Sequence, residues 1–518
     1  MNVMTIIAIV IYLSGMLLVG FYYSKRNKST DDFYLGGRKL GPLVTAMSAE
    51  ASDMSAYLLM GIPGLALATG LAEAVWTAIG LSVGTYLNWL IVSKRLRNYT
   101  EKVNAVTVPE FFNKRFGKFG NFSLLSLIAA LVIIVFFVPY TASGFSACGK
   151  LFSSMFGVDY LKAMIVSAVI IVIYCSLGGF LAASTTDLIQ SIVMTLSLIA
   201  VLGLGTKFAG GVEVVGNNVK ELAGYLDLSK GYDIVNNKAG SYGFITVIST
   251  LAWGLGYFGM PHILLRFMAI DNPKKLKTSR RIASVWVVIS MAIAILIGVV
   301  GYSLMLNGTV PSYLKETTAL SASAAESIIV DISSYLRGLG YLPAFFAGIF
   351  ISGILASTMS TADSQLIAAS SSVTQDLLVD SFKIKLSEKT SMLIARLSVV
   401  VISVIAVFLA KNPNGSVFKI VSFAWAGFGA AFGPVIILAL FWKRTNKYGA
   451  LAGMISGGAM VFFWKFGIRV WFKGTALDIY ELLPAFIVAC VFIVVISLIT
   501  PKPEKEIIDT FEDVKLHK

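Results

Sequence analysis

Acidic side chains are costly inside apolar segments, so the places where this sequence tolerates them are where its chemistry is sought first. Asp53 stands in LVTAMSAEASDMSAYLLMGIPG, where Glu50, Ser52 and Ser55 also interrupt an apolar run and Gly61, Pro63 and Gly64 follow. A second interruption is LAWGLGYFGMPHILL, with Gly254, Gly256, Gly259 and Pro261 close together. Glycine and proline at such points weaken a helix and free backbone carbonyls and amides. Bare backbone at membrane depth is tolerated only beside a cavity or within protein. The third region is FAGIFISGILASTMSTADSQLIAASSS, where Ser352, Ala356, Ser360 and Ser364 recur every four residues beside the row Gly353, Ser357 and Thr361. On a helix the two rows form one face of small residues and hydroxyls. Carbonyl and hydroxyl oxygens suit a hard cation such as sodium. A small-residue face also permits close helix packing, and both readings stand. Asp187, in LAASTTDLIQS, is read in two ways. Near Ser360 or Thr361 it holds a second cation or relays protons; otherwise it is an acid reaching to the membrane surface.

The elements that must position these groups are apolar helices. Of 518 residues 57% are hydrophobic and 14% charged, with a mean hydropathy of +0.80. A water-soluble surface needs more charge than that. Runs long enough to cross a bilayer fall at 3–23, 43–67, 71–93, 121–149, 161–179, 182–207, 241–263, 282–306, 341–368, 391–410, 416–441, 448–467 and 481–500, numbered here spans 1 to 13. The net charge of +14 does not point to nucleic acid, because Lys and Arg gather in alternate connections. Those connections hold Lys25, Arg26 and Lys28; Lys94, Arg97 and Arg115; Arg266, Arg280 and Arg281; Lys383 and Arg396; Lys443 and Arg444; Lys502 and Lys518. The bias places the N-terminus outside and the C-terminus in the cytoplasm of a multi-pass plasma-membrane protein. Residues 1–500 read as one membrane domain and 501–518 as a short charged tail, with no soluble signalling domain. Cys148, Cys175 and Cys490 read as small apolar residues, and two histidines, His262 and His517, are too few for an ordinary zinc site. No phosphate-binding loop and no nucleophile triad appears, so the chain is expected not to be an enzyme, to use no cofactor and to need no obligatory protein partner.

Spans 2 and 7 lie five spans apart, so each opens one half of a five-plus-five inverted repeat, over about 43–207 and 241–441. A broken first helix in each half is the pattern expected where a solute and an ion bind; plain kinks in packed helices are the alternative.

The segments FYLGGRKLGPLVTAMSAEASDMSAYLLMGIPG, GGFLAASTTDLIQ, WGLGYFGMPHILLRFMA, ILASTMSTADSQL and SFAWAGFGAAFGP are similar to the sodium/solute symporter family and, within it, to its sodium/proline branch. The resemblance runs along essentially the whole chain. It implies an all-α, LeuT-like membrane fold with extra peripheral helices, sodium as coupling ion and L-proline as solute. It implies a sodium site at the carbonyls of Ala51, Met54 and Ser357 and the hydroxyls of Ser360 and Thr361. It matches Asp53 to an essential aspartate, Asp187 to a carboxylate of sodium handling and Arg38 to a functionally sensitive arginine. For the solute it implies Ser55, Tyr57, Tyr140, Trp253, Tyr257 and Pro261, with Trp253 and Tyr257, four apart, enclosing the ring. The chain departs from the pattern at Glu50 and Ala56, each where glycine is expected, and at Tyr57, where tryptophan is expected; Asp363 has no assigned role. The alternatives are a relative carrying pantothenate, choline or a sugar, and a proton-coupled amino-acid carrier.

Overall fold

The computed structural model describes residues 3–24, 30–234, 237–311, 322–413 and 415–516. Lys25, Arg26, Lys28, His517 and Lys518, part of the charge reading, lie outside them. Helices dominate, because in lipid a backbone must satisfy its own hydrogen bonds. Among the described residues ten helices are long and apolar enough to cross a membrane. Two bent pairs, Pro42–Asp53 with Tyr57–Thr69 at 59° and Phe244–Gly259 with Pro261–Ala269 at 47°, bring the number to 12. These pairs are spans 2 and 7. The count of thirteen is approximate: span 5 is the shorter helix Tyr160–Ser176, which runs on into span 6 within Tyr160–Phe208. The kink between them is at Gly179, whose φ of 61° and ψ of −170° suit glycine and strain other residues.

Two connections expected as loops carry structure. Residues 208–240 contain the helix Val212–Lys220 and an antiparallel hairpin, Lys230–Asp233 against Lys238–Ser241, so the chain is not helical throughout. The second connection contains Ile328–Arg337. Within the short charged tail, Lys505–Leu516 is a helix that buries Phe511 and Val514.

Spans 9 and 11 form the centre of the bundle, with 72% and 83% of their most apolar windows buried, whereas spans 1, 12 and 13 bury 28–33% and face outward. Several arginines counted above as loop charges are interior. Arg97, Arg115 and Arg266 are buried. Helix C-termini leave carbonyls without partners, and a guanidinium brings several donors to them. Arg97 Nε donates to Ile270 O at 2.8 Å and Arg115 Nε to Ala439 O at 2.8 Å. Arg38 reaches Met268 O at 2.6 Å, Ala105 O at 2.7 Å and Thr100 O at 3.1 Å. Beside it, Leu40 N donates to Ala269 O and Asp271 N to Leu40 O, so the start of span 2 is tied to the end of span 7. Arg38 is thus a clamp on one face of the bundle.

Candidate functional site

The helix Pro42–Asp53 ends in mid-bundle. Met54, with φ −72° and ψ 69°, leaves helical geometry, and Ser55 N turns back to Asp53 O at 2.7 Å before the chain re-enters a helix at Tyr57. Opposite the break runs the uninterrupted helix Tyr341–Ser371 of span 9. Its hydroxyl face meets the break directly: Ser360 Oγ donates to Ala51 O at 2.7 Å. Ser357 O accepts from Ser360 Oγ at 3.3 Å and from Thr361 Oγ1 at 3.1 Å. Two carbonyls and two hydroxyls therefore converge between spans 2 and 9, all buried. This oxygen-only, uncharged donor set fits a hard monovalent cation and offers nothing soft to a transition metal. The small residues also pack, since Gly353 lies against Ser197 of span 6. Met54 is at the bend, its amide donating to Glu50 O.

Asp53 points the other way, toward span 7. Its Oδ2 accepts from Tyr257 Oη at 2.5 Å and its backbone O from Tyr140 Oη at 3.4 Å. The unwound half of span 7, Ala252–Gly259, is a 3-10 helix. That geometry separates two residues expected to act together. With three residues per turn, positions four apart do not share a face. Tyr257 turns to Asp53 and packs edge-on against Trp425 at 5.0 Å, while Trp253 stacks on Tyr480 with ring centroids 5.1 Å apart and tilts against Trp425 at 6.3 Å. Trp425 Nε1 donates to Trp253 O at 2.7 Å and fixes the turn.

Trp253 is the floor of a cleft of about 590 Å³. Gly61, Phe418 and Tyr480 line it too, together with the charged side chains of Glu73, Glu326, Asp478, Lys419, Lys465 and Arg469. Of the six solute residues expected from the sequence only Trp253 lines this cleft. Tyr57 lies behind it, 6.5 Å from the Trp253 ring, with its hydroxyl on Met54 Sδ. Ser55 and Tyr140 face a much smaller void together with Thr361. Pro261 is buried at the first turn of Pro261–Ala269. Sequence reasoning missed Tyr480, Trp425 and Phe418; single aromatics in apolar runs carry no signal of their own.

Asp187 is neither at a surface nor alone. It accepts from Ser48 Oγ at 2.6 Å and from Arg266 at 3.1 Å, and all three side chains are buried. The reading as an acid reaching the membrane surface is therefore overturned; the nearest span 9 hydroxyl in this network is Ser364, which Arg266 contacts at 2.5 Å. Glu50, also buried, accepts from Trp89 Nε1 at 3.0 Å.

Two helices broken at mid-bundle, an oxygen cluster on one side of a break and a cleft ending on the other define a membrane carrier of the LeuT-like kind. A sodium-coupled sialic acid symporter solved in a substrate-bound outward-open state shares this fold, with a TM-score of 0.77 at 18% identity over 97% of this chain and 99% of that one. Residues 33–457 match the sodium:solute symporter family, and the chain belongs to it. It is 41% identical over 508 residues to the osmoregulated proline transporter OpuE of Bacillus subtilis, covering 98% of this chain and 96% of the relative. It is 42% identical to a sodium/proline symporter of Haemophilus influenzae, covering 98% and 97%.

Proposed function

We propose that the protein carries L-proline inward with sodium by alternating access, across the plasma membrane. The observation that carries this is the bond from Ser360 Oγ to Ala51 O at 2.7 Å, which joins the hydroxyl face of span 9 to the break in span 2. In this reading sodium takes the carbonyls of Ala51, Met54 and Ser357 and the hydroxyls of Ser360 and Thr361. The two hydroxyls now point their hydrogens at carbonyls, and an ion turns their lone pairs inward and draws the two spans together. Asp53 and Tyr257 brace the same break from the other side. Ser55, Tyr57, Tyr140, Trp253, Tyr257 and Pro261 are the solute residues, reached only when the Trp253 ring swings out of the floor. Aromatic faces beside the break suit the ammonium and ring of proline. The segments 43–207 and 241–441 act as the two inverted repeats that rock, and the cleft face is extracellular, with the N-terminus outside and the C-terminus in the cytoplasm.

Energetically one ion suffices. A potential of 100 mV contributes about 2.3 kcal/mol per charge and a tenfold sodium gradient about 1.4 kcal/mol. Together they sustain roughly several-hundredfold accumulation. Uptake of labelled proline into proteoliposomes tests the reading. Ser360→Ala and Thr361→Ala should each raise the sodium needed for half-maximal uptake about tenfold, while proline affinity at saturating sodium moves less than about threefold. Uptake without a sodium gradient, or an unchanged sodium requirement in both variants, would remove the ion from this site.

A further inference from the structure

The charged side chains that line the cleft are tied to partners, all but two of them. Glu326, which is buried, accepts from Ser416 Oγ at 2.7 Å and from the amides of Val417 and Phe418 at 3.1 Å, and Lys150 stands 3.4 Å from it. Asp478 accepts from Arg469 Nε at 3.1 Å. Glu481, also buried, takes a second nitrogen of Arg469 at 2.8 Å and Lys465 at 3.2 Å. These pairs leave one acid and one base of the lining, Glu73 and Lys419. Neither side chain has an ion pair or a hydrogen bond among the described residues. They do not pair with each other, although Lys419 is within electrostatic reach of Glu73. An exposed lysine needs no partner, but Glu73 is partly buried in the first turn of Leu71–Leu87, where a carboxylate without a donor is disfavoured.

We propose that Glu73 and Lys419 hold a zwitterionic amino acid in the cleft, before the Trp253 ring gives way. Lys419 takes its carboxylate and Glu73 its ammonium. A net cation there would meet Lys419 as well as Glu73, and a net anion the reverse; a molecule carrying both charges satisfies both. The aromatic rings take the apolar part: Trp253 lies 5.1 Å from Phe418 and 5.1 Å from Tyr480, and all three line the same space. Its volume, about 590 Å³, is that of a small-molecule site. None of Ala51, Met54, Ser357, Ser360 and Thr361 lines the cleft, so this outer site binds without sodium. That the zwitterion is proline rests on the reading above.

Saturation-transfer NMR and equilibrium dialysis on the purified full-length protein in sodium-free buffer test the site. The probes are L-proline, its methyl ester (a cation) and N-acetyl-L-proline (an anion). Proline should bind, and each of the two charged derivatives about tenfold more weakly or worse. Glu73→Gln and Lys419→Met should each weaken sodium-free proline binding about tenfold. The exchanged double variant, Glu73→Lys with Lys419→Glu, should return it to within about threefold, a recovery that damage to the fold would not give. No sodium-free binding of proline, equal affinity for the three probes, or an unchanged affinity in both single variants would overturn the proposal. Sodium-dependent binding on the same samples reports on the central site separately. Its absence beside intact sodium-free binding would remove the symport reading and leave the outer site standing.

Discussion

The two faces of the bundle are closed by different kinds of contact. On one, a cleft is lined by Trp253 and other aromatic rings, and its walls mix Glu73, Glu326 and Asp478 with Lys419, Lys465 and Arg469. On the other, Arg38, Arg97 and Arg115 grip the carbonyls that end spans 3, 7 and 11, and a short bridge at Leu40 ties both broken spans together. Ring stacking is worth about 0.5–1.5 kcal/mol per pair and survives sliding and tilting. A hydrogen bond from a charged donor is worth about 1.5–3 kcal/mol and is lost when the geometry shifts. The cleft face is therefore soft and adjustable, and the clamped face opens only when directional bonds break together. Alternating access in this molecule is expected to be limited by the clamped face.

The sharpest way to break that contrast is Arg38→Met, which keeps a long apolar stem and removes the donors to Met268, Thr100 and Ala105. The equilibrium should move toward opening of this face by about 2–3 kcal/mol, on the order of a hundredfold. With Cys490 replaced, a cysteine placed at Ala269 should be alkylated correspondingly faster from that side; an unchanged rate would mean that the clamp does not hold the face shut. Next is Trp253→Ala, which removes the floor of the soft face. Proline affinity at saturating sodium should fall about ten- to thirtyfold, read by calorimetry, and a change under twofold would place Trp253 outside the solute path. Tyr480→Phe is milder. It keeps the stack on Trp253 and deletes only the 2.7 Å bond to Ser422 O, so affinity should fall by no more than about tenfold.

How much of this was visible in the sequence follows the same division. The breaks were legible because Gly, Pro and Asp53 violate helix and membrane rules locally. The four-residue rows on span 9 were legible because helix period alone puts Ser357, Ser360 and Thr361 on one face. That Ser360 meets Ala51 is a contact 309 residues apart in sequence, and the spacing of either segment does not encode it. The clamps were misread because charge bias assigns a cation to a loop by its position between apolar runs, and cannot tell a solvated lysine from Arg97 or Arg115 folded back onto helix ends. That Trp253 and Tyr257 turn to different partners was not legible, because glycines at 254, 256 and 259 permit a tighter helix than the one assumed.

The terminal helix offers the weakest test and the clearest control. Phe511 lies under Arg115 at 5.0 Å, and Lys102–Asp513 at 2.7 Å and Lys443–Glu512 at 2.9 Å hold the helix across the clamped face. Those ion pairs are solvent-exposed and screened by salt, so the apolar anchors Phe511 and Val514 carry most of the docking, Phe511 being the larger. Phe511→Ala should therefore release residues 505–516, seen as loss of amide-exchange protection there, while uptake changes less than about twofold and Arg115 keeps its bond to Ala439. The guanidinium clamps beneath the helix make their bonds to the bundle itself, which is why its loss should matter so little. If Phe511→Ala instead opens the face as far as Arg38→Met does, closure belongs to the docked tail and not to the clamps, and the contrast between a soft and a clamped face no longer stands.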